Sequence, residues 1–142
     1  AGKPWENDFD EYQKIIDRNN LSKHIILHAK FIPHEVVEHY YCASDLVVLP
    51  YKKIYQSGVL MMTLSYERPA IVSNLPPLME VISDNENGLL VKPNNIEDYK
   101  NAMIKMSDST TRIRLSNNSL DYLKKNFDYQ TMLNKINEAY NS

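Results

Sequence analysis

A short polar segment in the middle of the chain carries the residue types best suited to chemistry. Residues 50–59 read PYKKIYQSGV, and a helix rich in leucine and methionine is predicted to follow them. A helix N-terminus presents unpaired N–H groups and a partial positive charge, so it attracts anions. Gly58 lets a ligand approach the backbone closely, and Lys52 and Lys53 add positive charge. These features suit a diphosphate, but the same residues also fit a capped helix beside a solvated lysine pair.

No other stretch of the sequence has the spacing of a known catalytic or metal-binding motif. HExxH, GxSxG, Walker A and GxGxxG patterns are all missing. The four histidines do not have the spacing of a zinc site, and we expect neither a metal nor a cofactor; they are His24, His28, His34 and His39. Cys42 lies in a predicted helix that ends before a predicted buried strand, so we predict a buried structural thiol.

The composition is that of one ordinary globular domain. The chain has 142 residues, of which 43% are hydrophobic and 24% charged, enough for a single core. Its net charge of −2 argues against binding to nucleic acid or to anionic lipid through a basic surface. A single cysteine forms no intrachain disulfide, and no apolar run is long enough to span a bilayer. We therefore expect a cytoplasmic protein, with at most peripheral membrane association of the complete protein.

Apolar periodicity divides the chain into alternating helices and short strands. It predicts helices over 8–20, from Pro33 onward, over 57–66 and 78–83, and then helices only from Ile96, with breaks near Ser107 and 126–128. Val36, Val37, Tyr40 and Tyr41 are predicted to form the inner face of the second helix. Short apolar runs predict buried strands over 24–29, 46–49, 69–73 and 89–91, with a turn over 84–88. The order predicts an α/β fold with a doubly wound, Rossmann-like parallel sheet and C-terminal helices.

The predicted sheet indicates where a ligand binds before any motif is considered. Open parallel sheets bind ligands beyond the carboxyl ends of their strands. This rule selects four loops: 30–33, 50–58, 74–78 and the segment after Val91.

Five segments occur in an order and spacing that match one known family. Phe31-Ile32-Pro33 is similar to a G-F-V-P loop before a helix, and residues 40–50 are similar to Y-x-x-A-D-v-x-v-l-P-S. Residues 68–74 resemble G-x-P-V-v-a-s, and 80–82 and 86–91 look like E-v-i and e-N-G-l-L-v. Together they resemble the C-terminal domain of the retaining, GT-B-fold glycosyltransferases of group 1. The likeness runs from Phe31 to Val91 and, more loosely, to the C-terminus.

The resemblance implies transfer of a sugar from a nucleoside diphosphate to an acceptor hydroxyl, with retention at the anomeric carbon and without a metal. It implies that Ser57, Gly58 and Val59 donate hydrogen bonds to the diphosphate, while Lys52 and Lys53 stabilise its charge. The remaining implied contacts are base binding by Phe31 and Ile32, ribose binding by Thr63, and a role for Glu80 that either supports the donor site or is purely structural.

Two positions depart from the family pattern. The family carries glutamates around the glycine, and here Tyr55 and Thr63 stand at those positions. Tyr55 or Gln56 could replace the hydrogen bonds of the first glutamate but not its charge, and Thr63 offers the ribose one hydroxyl, directly or through water. The Tyr-Gln-Ser-Gly-Val form resembles a bacterial subgroup that builds capsular polysaccharides or exopolysaccharides.

The resemblance also implies that the sequence covers only part of a two-domain glycosyltransferase. Residues 1–142 are expected to form one nucleotide-sugar-binding domain that begins at the end of its second strand. The acceptor, a saccharide or a lipid-linked saccharide, would bind an absent N-terminal domain, so we expect no sugar transfer by this chain alone. Two alternatives remain at this point, a non-enzymatic doubly wound signalling or interaction domain and half of a GT-B nucleotide-sugar epimerase. The first would need acidic residues at the carboxyl ends of strands, and the second catalytic acids and a histidine on other loops.

Overall fold

The computed structural model describes Gly2 and residues 9–127. Its contacts divide the chain into two compact units, residues 1–40 and residues 41–142, and each unit is described by itself. The single domain expected over 1–142 stays a prediction.

The first unit contains one complete helix and an extended segment. Helix α1 (Asp10–Arg18) confirms the helix expected over 8–20, although it is shorter, and Ile16 is its buried residue. The buried strand expected over 24–29 is wrong: these residues belong to no strand, and Ile26 is 82% exposed. Among the described residues, one backbone bond, from the Gly2 N–H to the His28 carbonyl at 2.9 Å, joins this segment to another part of the unit. A strand needs a ladder of such bonds, so β propensity alone did not produce one.

Helix α2 (His34–Ala43) begins directly after Pro33, as the sequence predicts. Its predicted inner face is half-buried and consists of Val36, Val37, Tyr40 and Tyr41. The prediction of a buried Cys42 is wrong, because the residue is exposed. Successive helical residues are rotated by about 100°, so Cys42 points about 200° away from Tyr40 and leaves the inner face.

The second unit contains a parallel sheet of three strands in the order β1-β2-β3. The strands are β1 (Val47–Leu49), β2 (Ala70–Ser73) and β3 (Leu89–Val91), which confirms the last three predicted strands. Val48 pairs with Ile71, and Val72 pairs with Leu90. Pro50 follows β1 and, having no N–H for a ladder, marks the end of that strand.

Helices connect and cover the strands. They are α3 (Gly58–Ser65), α4 (Pro76–Met79), α5 (Ile96–Met106) and α6 (Ser109–Phe127). The helix expected over 78–83 covers Pro76–Met79 instead, and residues 80–83 lie outside it. It begins earlier because Pro76 and Pro77 occupy its first turn, where a missing N–H costs nothing. The break expected at Ser107 is confirmed, since Ser107 is the C-cap of α5. Asn126 and Phe127 still belong to α6, and the rest of the break expected over 126–128 falls outside the described residues.

Alternate residues of the sheet face two separate apolar clusters. The first cluster joins the sheet to α3 and α4 and consists of Leu49, Leu60, Leu64, Ala70, Val72, Leu78 and Ile82. The second joins the opposite face to α5 and α6 and consists of Ile71, Leu89, Val91, Ala102, Met106 and Leu115. Because period-2 alternation places both faces against helices, the predicted doubly wound α/β fold is confirmed.

Candidate functional site

Three loops meet at the edge where β1, β2 and β3 end, called here the carboxyl edge. β1 ends at Leu49, β2 at Ser73 and β3 at Val91. The Asn74 N–H donates to the Val91 carbonyl at 2.7 Å, so the ends of β2 and β3 stay joined beyond the last ladder pair. Residues 50–57, called the β1–α3 loop, leave this edge and lead into α3.

The start of α3 leaves two N–H groups exposed at the carboxyl edge. Ser57 is the N-cap, and its Oγ accepts a hydrogen bond from the Leu60 N–H at 3.1 Å. The Met61 N–H donates to the Ser57 carbonyl at 3.3 Å. Within the part of the chain that the structure describes, the N–H groups of Gly58 and Val59 have no hydrogen-bond acceptor. The N-terminus of this eight-residue helix therefore keeps donors for a ligand.

Gly58 keeps that helix start open. A Cβ placed on Gly58 would have no heavy atom within 4 Å, so the space above its backbone is empty. Gly88 is the opposite case, because a Cβ there would lie 2.9 Å from Ile82 Cγ2 and 3.2 Å from the Ala70 carbonyl oxygen. Gly58 is thus not required by the packing of the fold, and the free approach to its backbone is available to a ligand.

The β1–α3 loop presents its charged and polar side chains to solvent. Lys52, Lys53 and Gln56 are exposed, and Tyr55 is 98% exposed. Among the described residues neither lysine takes part in an ion pair. Their charge is therefore not neutralised by a carboxylate of the fold, so both ammonium groups can interact with an anion at the start of α3.

A buried serine that sequence reasoning missed bonds to the first part of this loop. Ser73 Oγ lies 2.6 Å from the Tyr51 carbonyl oxygen, 3.5 Å from the Leu49 carbonyl oxygen and 2.8 Å from the Tyr99 hydroxyl. Ser73 is fully buried at the last position of β2. The signal in the sequence was a hydroxyl residue ending an otherwise apolar strand; nothing comparable marked Tyr99.

Thr63 faces the interior of the second unit. The side chain is fully buried, and Oγ1 donates to the Val59 carbonyl one turn earlier at 2.7 Å. Its hydroxyl also contacts the phenol of Tyr41, whose ring stacks on Tyr66 with centroids 4.8 Å apart. Burial raises the pKa of the Tyr41 phenol, and the hydrogen bond with Thr63 acts in the opposite direction. The ribose contact implied for Thr63 stays a prediction, and in this structure its hydroxyl is occupied by these two internal partners.

The other implied donor contacts lie apart from α3 in the chain. Phe31 is 73% exposed and Ile32 is half-buried, and both belong to the first unit. Glu80 is exposed at the C-cap of α4, where its carbonyl accepts a hydrogen bond from the Tyr122 hydroxyl at 3.0 Å. The implied roles of all three residues stay predictions.

Neither a metal site nor a membrane span is found in the described residues. Within 2 and 9–127, no three residues among His, Cys, Asp and Glu lie close enough to hold a metal ion. His28 Nδ1 instead lies 2.6 Å from the Tyr40 hydroxyl. None of the helices in these ranges is both long enough and apolar enough to cross a bilayer.

An open groove of about 610 Å³ lies away from the carboxyl edge, beside α6 and the turn before β3. Its walls are polar and consist of Ser83, Glu86, Asn87, Asn118, Asp121, Tyr122, Lys125 and Asn126. Several of these groups bond to one another or to nearby backbone, as with Asn118 Nδ2 and the Glu86 carbonyl at 2.7 Å. No residue predicted from the sequence to be functional lines it.

Comparison with known proteins gives one family match. The family described as "Glycosyl transferases group 1" matches residues 1–126. No curated protein matches the sequence.

Solved structures with the same fold are numerous but distant in sequence. Sucrose-phosphate synthase from Thermosynechococcus elongatus is 21% identical with a TM-score of 0.79, over 99% of this chain and 36% of that one. The C-terminal domain of the group 1 glycosyltransferase LpcC from Francisella tularensis is 22% identical with a TM-score of 0.75, over 84% of this chain and 62% of that one. HepE from Anabaena, in complex with UDP-glucose, is 19% identical with a TM-score of 0.75, over 93% and 36%. The chain thus spans less than two thirds of each of these proteins, and at such identities the likeness shows the fold alone.

Proposed function

Because the chain belongs to the glycosyl transferases group 1 family, we propose that it binds the diphosphate of a nucleotide-sugar donor at the start of α3. The observation that carries this proposal is the open backbone at Gly58, with the free N–H groups of Gly58 and Val59 beside it. Family membership alone does not indicate which loop binds the diphosphate, whereas the open backbone at Gly58 favours the β1–α3 loop.

The electrostatics of α3 favour a dianionic group at this position. A helix N-terminus carries a partial positive charge of about half an elementary charge. Lys52 and Lys53 precede it in the β1–α3 loop without carboxylate partners among the described residues. The Ser57 Oγ accepts from Leu60 N–H, which leaves its own proton for a phosphate oxygen. Fixed donors and cations of this kind bind the donor and stabilise the charge that develops on the departing diphosphate, without a metal or other cofactor.

We assign contacts with the sugar and the nucleoside from the hydrogen-bonding groups and the aromatic ring that the side chains offer. Tyr55 and Gln56 lie exposed just before the helix and can hydrogen-bond the sugar or a phosphate oxygen. We assign Phe31 and Ile32 to the base, since Phe31 offers an exposed ring for stacking. Thr63 binds the ribose only if its hydroxyl is released from the Val59 carbonyl. Glu80 supports the donor site indirectly, by holding α4 in position.

For the complete protein, we propose sugar transfer with retention to a saccharide or lipid-linked acceptor, in the cytoplasm of a bacterium. HepE, whose structure contains UDP-glucose, supports a nucleotide sugar as the donor. Surface polysaccharide synthesis is proposed from the sequence Tyr55 to Val59, which resembles that subgroup. An acceptor must be held in attack geometry beside the donor, which requires groups on a facing domain.

Calorimetric titration tests the donor-binding proposal. UDP, GDP and ADP are titrated into the full chain, with UMP as the matched control because it lacks the second phosphate. We expect one diphosphate to bind, and UMP to bind at least about tenfold more weakly, since it loses several charge-assisted bonds. Equal affinity for UDP and UMP, or no binding of any diphosphate, would contradict the proposal.

A further inference from the structure

A chain of three polar groups crosses the carboxyl edge beneath the β1–α3 loop. Tyr99 lies in the first turn of α5, Ser73 ends β2, and the Tyr51 carbonyl lies near the start of the loop. The two contacts are short, 2.8 Å between the hydroxyls of Tyr99 and Ser73 and 2.6 Å between Ser73 Oγ and the Tyr51 carbonyl oxygen. Three elements that are distant in sequence are therefore joined at one buried atom.

The direction of the hydrogen bonds follows from the number of protons. A carbonyl oxygen only accepts, so Ser73 must donate its single hydroxyl proton toward Tyr51, with Leu49 as a longer second acceptor. Ser73 Oγ then has no proton left for Tyr99, and the Tyr99 hydroxyl donates to it. Consecutive bonds of one direction polarise each other and strengthen the chain in a buried environment.

Few other bonds hold the loop to the sheet. The Tyr51 N–H donates to the Leu49 carbonyl at 3.0 Å, and Tyr51 and Ile54 pack on the first apolar cluster. Beyond these contacts, residues 52–56 make no hydrogen bond to the sheet in the structure as described. The Ser73 hydroxyl is therefore the main polar link between the sheet and the loop that carries Lys52, Lys53 and the N-cap of α3.

We propose that Ser73 and Tyr99 are positioning residues of the donor site, which fix the β1–α3 loop so that its lysines and the start of α3 face one bound diphosphate. This inference rests on the proposed function. Neither side chain touches the diphosphate; both act through the carbonyl of Tyr51. Loss of the link leaves the loop attached but free to sample positions in which its donors no longer converge.

The chain supplies a matched control in Ser119. It is also fully buried, and its Oγ also donates at 2.6 Å to a loop carbonyl distant in sequence, that of Asn87. Asn87 lies before β3, away from the carboxyl edge. Ser73→Ala and Ser119→Ala therefore each remove a 2.6 Å bond from a buried serine to a loop carbonyl, and only the first concerns the proposed donor site. Ser73 also accepts from Tyr99, and Ser119 also bonds the Leu115 carbonyl one turn earlier. The loss of folding stability that follows from removing a buried serine hydroxyl is therefore expected in both variants.

The experiment compares the wild-type chain with Ser73→Ala, Tyr99→Phe and Ser119→Ala by UDP calorimetry and by backbone ¹⁵N relaxation without ligand. We expect Ser73→Ala to weaken UDP binding about tenfold and Tyr99→Phe about threefold, the range of one lost or weakened hydrogen bond. Ser119→Ala is expected to keep wild-type affinity while lowering the melting temperature about as much as Ser73→Ala. Order parameters of residues 51–57 should fall toward about 0.6 in Ser73→Ala only.

Two results would overturn the inference. One is unchanged order parameters of residues 51–57 in Ser73→Ala. The other is an equal loss of UDP affinity in Ser73→Ala and Ser119→Ala, which would reduce Ser73 to a stabilising residue. If the wild-type chain binds none of UDP, GDP and ADP, the proposed function fails, and the relaxation data decide the positioning role of Ser73 separately. If GDP or ADP binds in place of UDP, that diphosphate replaces UDP in the comparison.

Discussion

Two polar loops of the second unit use their polar groups in opposite ways. The first is the β1–α3 loop, residues 50–57 with Gly58 behind it, and the second is residues 83–88, called the α4–β3 turn. The turn is closed by bonds between its own residues and to α6: its partners include Val81, Leu90, Arg114, Asn118 and Ser119. The loop is held mainly through Ser73, and it points its lysines into solvent.

Gly88 in the turn and Gly58 behind the loop differ in the same way. Gly88 has no room for a Cβ, because Ile82 and the Ala70 carbonyl fill that space, while the space above Gly58 is empty. Buried polar groups that are fully bonded stabilise a fold, and polar groups left free at a strand end are available to a ligand. We propose that the α4–β3 turn serves the fold and the β1–α3 loop serves donor binding. The following substitutions test this distinction, from the largest expected effect to the smallest.

Gly88→Ala should cause the largest loss of stability. The new Cβ would lie 2.9 Å from Ile82 Cγ2 and 3.2 Å from the Ala70 carbonyl oxygen, so β2 or the side chain of Ile82 must shift. Overpacking of this kind costs about 1–3 kcal/mol, measured by urea unfolding. Gly58→Ala is the matched control and should change the free energy of unfolding by less than about 0.5 kcal/mol. Equal losses in both variants would remove the distinction between the two regions.

Asn87→Ala should destabilise the chain by about 1–2 kcal/mol, because it leaves bonded backbone groups without partners. The buried amide accepts from the Ser83 N–H at 2.8 Å and donates to the Val81 carbonyl at 2.9 Å. Gln56→Ala removes an exposed amide from the β1–α3 loop and should leave the melting temperature unchanged. A larger loss in Gln56→Ala than in Asn87→Ala would show that the loop, too, is structural.

Gly58→Val should abolish UDP binding and leave the fold intact. A branched side chain fills the open approach to the helix N-terminus, yet it meets no atom of the protein at its Cβ. We expect affinity to fall at least about tenfold by calorimetry, with Gly58→Ala intermediate and circular dichroism unchanged. Wild-type affinity in Gly58→Val would place the diphosphate elsewhere.

Replacing the loop lysines should have the smallest effect. Lys52→Gln and Lys53→Gln are each expected to weaken UDP binding by about two- to fivefold, since both side chains are exposed and screened by salt. The loss should shrink as ionic strength rises. Lys124→Gln, an exposed lysine on α6, is the control and should bind UDP as the wild type does. No difference between the loop variants and the control would exclude an electrostatic contribution from Lys52 and Lys53.

The sequence predicted the sheet of the second unit well, because its strands are short apolar runs bounded by proline or turn residues. The segment at 24–29 has the same composition but forms no strand, since pairing depends on a neighbour that composition does not show. Helix periodicity, read more strictly, would have placed Cys42 off the inner face of α2. It would also have placed Thr63 with Leu60 and Leu64 on the buried face of α3.

The predicted start of α3 is confirmed, whereas the donor site placed there stays a prediction, and the contacts of Ser73 and Tyr99 were not foreseen. Local rules of helix capping and glycine use point to Ser57 and Gly58 from the sequence alone. Ser73 and Tyr99 are separated by 26 positions, and their contact arises only when β2 and α5 pack at the carboxyl edge. No periodic pattern marks such a pair, so only the structure shows it.

The most direct test of the account follows backbone amide resonances of the ¹⁵N-labelled chain during a UDP titration. The free N–H groups of Gly58 and Val59 report contact with the diphosphate, and residues 83–88 report binding in the second region. We predict the largest shift changes at Ser57, Gly58 and Val59, smaller ones at Lys52 and Lys53, and none at residues 83–88. Shifts concentrated at residues 83–88, or saturation by UDP without change at Gly58 and Val59, would contradict the assignment of the β1–α3 loop to donor binding.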